Sequence, residues 1–280
     1  MTDWIQGDKF IGLADYTFSP KKRAGDDYDG LVNTLNKNDR VWQDMSIKAR
    51  PIIYTHGMYA DDLFSHMWNI HRHFIVILHN SDNALTSDKE WGSHMTNLYS
   101  TNVNYNEQLF IQSIPIGLEN DRWFRGLHKK EKMLAMVSQP RTYKNMVYMN
   151  HNVKTNPAER TKPYEVLERM PWVTVERGSN GHGFDEYLHD IYSHNFVICP
   201  AGNGMDTHRT WETLYMGSIP IEKRNINNQF YTELPICFVD DWEEVTVDFL
   251  ESEYSRIKRG AWNMEMLNFS YWKNKIQNVR

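Results

Sequence analysis

Cysteine is scarce: the 280 residues hold two, Cys199 and Cys237. That excludes a disulfide-stapled scaffold, and each lies alone in an apolar run, so both read as small buried residues. Long apolar runs are also missing. The longest, 74–78 and 195–199, fall far short of the ~18–20 residues that cross a bilayer, so no membrane contact is expected. The chain begins without the basic and apolar stretches of a secretory leader, and a cytoplasmic location is the expectation. Core formers are not lacking: 40% hydrophobic and 24% charged residues is an ordinary globular mix, which excludes wholesale disorder.

What is present is unevenly charged. Between residues 122 and 162 lie Arg122, Arg125, Lys129, Lys130, Lys132, Arg141, Lys144, Lys154, Arg160 and Lys162, against only Glu131 and Glu159. From 233 to 253 the sign reverses, with acidic residues and no Lys or Arg. Such a basic stretch within a chain whose overall net charge is −5 marks a candidate contact for an anionic partner, or simply a basic linker.

Short apolar runs alternate with helix-like segments, the pattern of α/β structure with parallel sheets. In the first half, strands are expected at 9–14, 51–55, 74–79, 95–99 and 110–114, with a helix over 61–72. The second half restarts with strands at 145–149, 172–175, 195–199, 218–221 and 236–239, separated by helices at 163–169, 184–193 and 206–216. Two such series predict two Rossmann-like, doubly wound domains facing a cleft. The expected bounds are 1–125 and 140–260, with a C-terminal helix in 261–280 returning to the first domain.

The most informative segment is 195–223. A strand runs into Gly202, Asn203 and Gly204, then into a helix with Asp206 or Thr207 as N-cap and Gly217 as its stop. Such a loop and helix N-terminus suit a diphosphate, because unpaired N–H groups and the positive dipole end converge there. Arg209 and Glu212 share a helical face, so Arg209 can hold a phosphate while Glu212 accepts from ribose hydroxyls. The same spacing equally fits an intrahelical ion pair worth about 0.3–0.5 kcal/mol.

This segment, 196–221, resembles the donor-site signature of exostosin-like glycosyltransferases. Leu78, His79, Asn80, Ser81 and Asp82 in the first half, and 114–123 with Gly117, Glu119, Asn120 and Trp123, resemble the same family in the same order. The resemblance implies a GT-B fold, a nucleotide sugar as co-substrate, and an Arg and a Glu, here Arg209 and Glu212, serving that donor.

Inverting sugar transfer needs a general base and positive charge for the departing diphosphate. A loop at the carboxyl end of a first-domain strand should carry the base. Asp82 fits, His79 follows, and Asp15 and His56 are expected to end neighbouring strands. The donor is expected to meet Gly202, Asn203, Gly204, Thr207, His208, Arg209, Glu212 and Lys223, with Asn150 and Asn152 nearby. Asp15, His56, Asn120, Arg122 and Trp123 are the expected acceptor contacts.

No obligatory metal is expected. Asp27 and Asp29 form an Asp-x-Asp pattern in a polar loop without a preceding strand. His182, His189 and His194 lack zinc-helix spacing, His71 and His73 read as a helix end, and Asp240 and Asp241 as caps. For the acceptor, the basic stretch 122–162 and its aromatics suggest duplex DNA carrying a hydroxymethylated pyrimidine, as in phage DNA-modifying glycosyltransferases acting inside an infected cell. The alternatives are a surface polysaccharide or other glycan, or a non-catalytic nucleotide- or nucleic-acid-binding module.

Overall fold

The computed structural model describes residues 3–19, 33–35, 50–67, 73–83, 85–86, 95–104, 110–177 and 183–279. Asp27, Asp29, His71 and His182 lie outside them. The chain divides into two α/β units, Met1–Ile116 with Asn268–Arg280, and Gly117–Leu267.

The first unit is built on six parallel strands: β1 (Tyr16–Phe18), β2 (Asn33–Leu35), β3 (Ile52–His56), β4 (Phe74–His79), β6 (Met95–Ser100) and β8 (Ile111–Ser113), in the order β2-β1-β3-β4-β6-β8. A separate parallel pair joins β5 (Leu85–Thr86) to β7 (Val103–Asn104). All six β4 side chains are buried, as a strand covered on both faces requires, which is why it reads as one apolar run. The register sets His56 beside His79 at the carboxyl edge.

Two sequence expectations change here. Residues 9–14 do not form a strand: Gly7–Ile11 is a helical turn, α1, that buries Gly7, Phe10 and Ile11. That i, i+3, i+4 spacing is helical, and in so short a run it outweighed the apolar composition. The expected helix over 61–72 is described as α2, Ala60–Met67, and its expected remainder, 68–72, lies outside the described residues. The expected C-terminal helix breaks at Asn268, which is extended, leaving a 3-10 turn (Met264–Leu267) in the second unit and an α-helix (Phe269–Asn278) in the first. That last helix buries Trp272 and Ile276 and is tied down by Asp3, whose carbonyl accepts from Phe269 N–H at 2.9 Å and whose carboxylate accepts from Ser270 N–H at 2.6 Å.

The second unit carries β9 (Asn145–Met149), β10 (Val173–Val175), β11 (His194–Ile198), β12 (Ile219–Lys223) and β13 (Cys237–Val239), all parallel, in the order β10-β9-β11-β12-β13. Its helices are α3 (Phe124–Val137), α4 (Pro157–Leu167), α5 (Phe184–Tyr192), α6 (His208–Tyr215) and α7 (Val247–Arg259), and the helix Phe269–Asn278 is α8. Inward residues of the strands, such as Val147, Phe196, Ile198, Ile219 and Val239, pack with Leu167 of α4 and Leu250 of α7 into one core. α4 starts six residues earlier than expected, because Asn156 caps it through Glu159 N–H and Pro157 opens it, leaving Pro163 inside. The basic stretch around 120–144 holds α3, and the acidic stretch holds α7, which begins with Asp248 and ends with Arg256, Lys258 and Arg259, in line with its dipole. Asp241 caps as expected, in a capping box with Glu244.

Winding reverses between β9 and β11, so the loops after these two strands splay apart at the carboxyl edge. In open α/β sheets that switch point is where ligands bind.

Candidate active site

The loop after β9 brings Asn150, His151 and Asn152. Asn150 donates to Tyr148 Oη at 2.8 Å, and Asn152 caps the following turn through Lys154 N–H at 3.0 Å. His151 is buried, and its Nε2 donates to the Arg160 carbonyl at 2.9 Å. Its Nδ1 is then a bare acceptor, buried without a partner. Burial, helped by the charges of Arg209 and Arg160, drives its pKa down to about 4, so the ring is neutral.

Arg160 of α4 links the two switch-point loops. Its Nε donates to the Ala201 carbonyl at 2.8 Å and Nη1 to the Asn152 carbonyl at 3.2 Å. Gly202 is glycine for a steric reason: a Cβ there would stand 2.9 Å from Arg160 Nη2. Asn156 Nδ2 and Gly204 hold the loop from either side, at 2.8 Å each to the Gly202 carbonyl and N–H. A cavity of about 270 Å³ opens beside Gly202, Asn203 and Gly204, with Cys199, Glu222 and Lys223 also on its wall. Burial raises the pKa of Glu222, which accepts from Thr210 Oγ1 and from Asn228 at 3.1 Å.

At the head of α6, Thr207 occupies the N-cap position but makes no side-chain cap, and Asp206 instead accepts from Trp211 Nε1 at 2.8 Å. The first turn thus keeps its N–H groups without a side-chain acceptor. His208 Nδ1 donates to the carbonyl of Gly117 at 2.7 Å, where φ is +66°, a backbone state that favours glycine.

Arg209 and Glu212 do not form the intrahelical pair. Glu212, 4% exposed, accepts from Lys129 Nζ at 2.5 Å on Oε1 and from Tyr187 Oη at 2.5 Å on Oε2. Although burial opposes its charge, Lys129 and Tyr187 hold its pKa down to about 2. Arg209 lies over the Tyr187 ring, 5.2 Å from its centroid, and its Nη1 is buried without a partner. Burial disfavours this cation, but Tyr187, Cys199 and Glu212 keep its pKa above the ordinary arginine value. Neither Arg209 nor Arg160 is in an ion pair with a carboxylate among the described residues, and burial, then the nearby charge of Arg209, lowers the pKa of Arg160. Two guanidinium groups in no ion pair among the described residues, beside a glycine loop and a helix end whose N-cap side chain makes no cap, have the chemistry that suits an anion.

The first-unit candidates separate. His79 is fully buried: Nδ1 accepts from Asn80 N–H at 2.7 Å, Nε2 donates to the Pro115 carbonyl at 3.1 Å, and the ring stacks on Phe10 at 4.9 Å. Both ring nitrogens are thus engaged in hydrogen bonds within the first unit. Asp15 stands at the opposite edge from the one expected. It precedes β1 and pairs with Ile52 at the start of β3, its carboxylate accepting from Ile52 N–H at 2.9 Å. The misread strand at 9–14 is the cause of that misplacement. Asp82 is exposed, two residues beyond Asn80, whose φ is +55° and whose amide donates to Asp8 at 2.9 Å. His56 ends β3, and a Cβ on the next residue, Gly57, would stand 2.9 Å from Ser81 Cβ, so the His56 and Asp82 loops are neighbours on the carboxyl edge.

Asn120 is buried and its carbonyl accepts from Trp123 N–H at 3.0 Å, while Trp123 is 57% exposed with Arg122 lying 5.9 Å from its ring. Half of the ten basic residues of the stretch are held in ion pairs: Lys129 by Glu212, Lys130 by Asp121, Lys132 by Asp185, Lys144 by Asp190 and Lys162 by Glu243. Arg141 spends its donors on the carbonyls of Gly217 and His194 and on Ser218. Sequence reasoning did not single out Arg160, Lys129 or Tyr187, which the structure brings beside Gly202 and Glu212. The Asn156-Pro157 helix start was the available signal for Arg160, since it places that residue in the first turns of α4.

Among the described residues, no group of His, Cys, Asp and Glu has the arrangement to hold a metal ion, and no helix is long and apolar enough to cross a membrane. No family model matches the sequence, and no curated protein matches it. Among solved structures, one titled "Crystal Structure of alpha1,3-Fucosyltransferase" is similar over 95% of this chain and 91% of that one, at a TM-score of 0.51 and 9% sequence identity. The likeness takes in both units and is one of fold: α/β units on parallel sheets, of the GT-B class.

Proposed function

We propose that the chain is a nucleotide-sugar-dependent glycosyltransferase, inverting and independent of a bound metal. The observation that carries this reading is Arg209, a charged side chain with a buried, unpartnered Nη1 at the head of α6. A donor diphosphate would satisfy it, together with Arg160, the Gly202–Gly204 backbone and the first N–H groups of α6. Glu212 takes the ribose hydroxyls, the cavity beside Gly202 and Glu222 takes the base, and Lys223 and Asn150 flank the donor. The exostosin-like pattern of an Arg and a Glu on this helix and the fold shared with a fucosyltransferase both support the assignment.

In the reaction, Asp82 removes the proton from the acceptor hydroxyl, with His56 as its neighbour on the same edge. The acceptor oxygen attacks the anomeric carbon from the face opposite the leaving group, the bond from that carbon to the phosphate oxygen breaks, and the diphosphate leaves as an anion. Arg209 and Arg160 stabilise that developing charge, the step in which fixed positive groups contribute most.

For the acceptor, five of the ten basic side chains along 122–162 are held in ion pairs, and this partial neutralisation favours a glycan hydroxyl over the hydroxymethylated pyrimidine of duplex DNA. Asn120, Arg122 and exposed Trp123 are the residues proposed to meet it, an aromatic face being a common platform for a sugar ring. The test is incubation with labelled nucleotide sugars and two acceptor sets, oligosaccharides and duplexes with or without hydroxymethylcytosine. Label in the oligosaccharides supports this reading, and label only in the hydroxymethylated duplex restores the DNA acceptor. Nucleotide binding with no transfer or donor hydrolysis under any condition would point to a non-catalytic module.

A further inference from the structure

Lys129 belongs by sequence to the basic stretch that suggests an outer charged surface, yet it is 5% exposed and reaches Glu212, 83 positions later. We propose that Lys129 is a positioning residue, holding the Glu212 carboxylate in the orientation and charge state that distinguishes a ribonucleotide from a deoxyribonucleotide. The inference rests on reading Glu212 as the ribose contact.

An ionised carboxylate has about four lone-pair sites. Lys129 fills one on Oε1 and Tyr187 one on Oε2, which leaves one on each oxygen for two neighbouring hydroxyls. Lys129 is itself held by Glu119, at 3.4 Å, and by the face of the Phe184 ring, 5.6 Å from its centroid. Glu119 and Gly117 come from the 114–123 segment, and Gly117 is bound by His208. That segment therefore braces the donor helix at two places, which gives it a role that its sequence pattern did not reveal.

Without Lys129 the carboxylate has two ways to relax. It can take up a proton, which turns one acceptor into a donor, or it can turn to Arg209 on the same helical face and occupy the cation left for the diphosphate. Either outcome weakens discrimination at the 2′-hydroxyl more than it weakens the fold.

The experiment is calorimetric titration with UDP, GDP and CDP and with their 2′-deoxy counterparts, using the wild-type chain, Lys129→Met, Lys129→Arg and Tyr187→Phe, each checked by thermal melt. The wild type should prefer the best ribonucleotide by about tenfold or more, the size of one charge-assisted hydrogen bond. Lys129→Met should reduce that ratio to near one, Lys129→Arg should restore part of it, and Tyr187→Phe should lower it less. An unchanged ratio in Lys129→Met, or tighter ribonucleotide binding by it, overturns the inference while the donor site stands. Equal wild-type affinity for ribo and deoxy forms does the same. A wild type that binds no nucleoside diphosphate overturns the donor site and the inference together.

Discussion

Arg209 and Glu212 lie three residues apart on one face of α6 and do not pair: Glu212 is bound by Lys129 at 2.5 Å, and Arg209 keeps a buried Nη1 without a partner. An intrahelical ion pair would have been the simpler arrangement, and its absence leaves a partly buried cation in no direct ion pair among the described residues. A fold tolerates such a group at a cost in stability, and functional sites are where that cost recurs.

Gly202→Ala tests whether the loop must stay close to Arg160. The new methyl group would meet Nη2 at 2.9 Å, the mobile end of a long side chain, so the fold should adjust for less than about 1 kcal/mol. The guanidinium, however, must shift away from the loop. Nucleoside diphosphate affinity measured by titration should fall several-fold with little change in melting temperature, and unchanged affinity would count against Arg160 as a phosphate contact.

His79 and Asp82 should separate cleanly. His79→Phe leaves the Asn80 N–H and the Pro115 carbonyl without partners in a buried site, at a cost of about 2–4 kcal/mol. Asp82→Asn, at an exposed position, should alter stability by less than about 0.5 kcal/mol while reducing kcat sharply and leaving donor binding intact. Melting curves and steady-state turnover on both variants decide the matter. A stable His79→Phe or a fully active Asp82→Asn would reverse the assignment.

Acid should weaken the second unit through His151. Its folded pKa of about 4 lies below the model-peptide value near 6.5. Between those values the unfolded chain binds more protons, so stability is complete above about pH 6.5 and declines as the pH falls toward 4, by about 3 kcal/mol in all. His194, also depressed by burial, acts in the same direction. Melts from pH 7.5 to 4 should show the loss, and His151→Gln should flatten part of it. An equally steep profile in that variant would assign the loss elsewhere.

Much of the sheet was legible because parallel strands buried on both faces form near-continuous apolar runs: Phe74–His79 and Asn145–Met149 match their expected limits. The donor helix was legible from its glycine loop and from Gly217, whose φ of +73° ends it. What escaped depends on distant pairings. Lys129 was counted as surface charge because its partner stands 83 residues away, and His79 resembled a base because the Pro115 carbonyl that occupies it is 36 residues off. Asp15 failed for a local reason, since five residues with Gly7, Phe10 and Ile11 inward can be read in either period.

The central claim is that Arg209 is kept unpaired for a diphosphate. Its most direct test is calorimetric titration of UDP, GDP and CDP into the wild-type chain and Arg209→Leu. One charge-assisted contact is worth about 1.5–3 kcal/mol, so the variant should bind the preferred nucleotide roughly ten- to a hundredfold more weakly. Equal affinity in the two proteins, or no binding by wild type, would contradict the account.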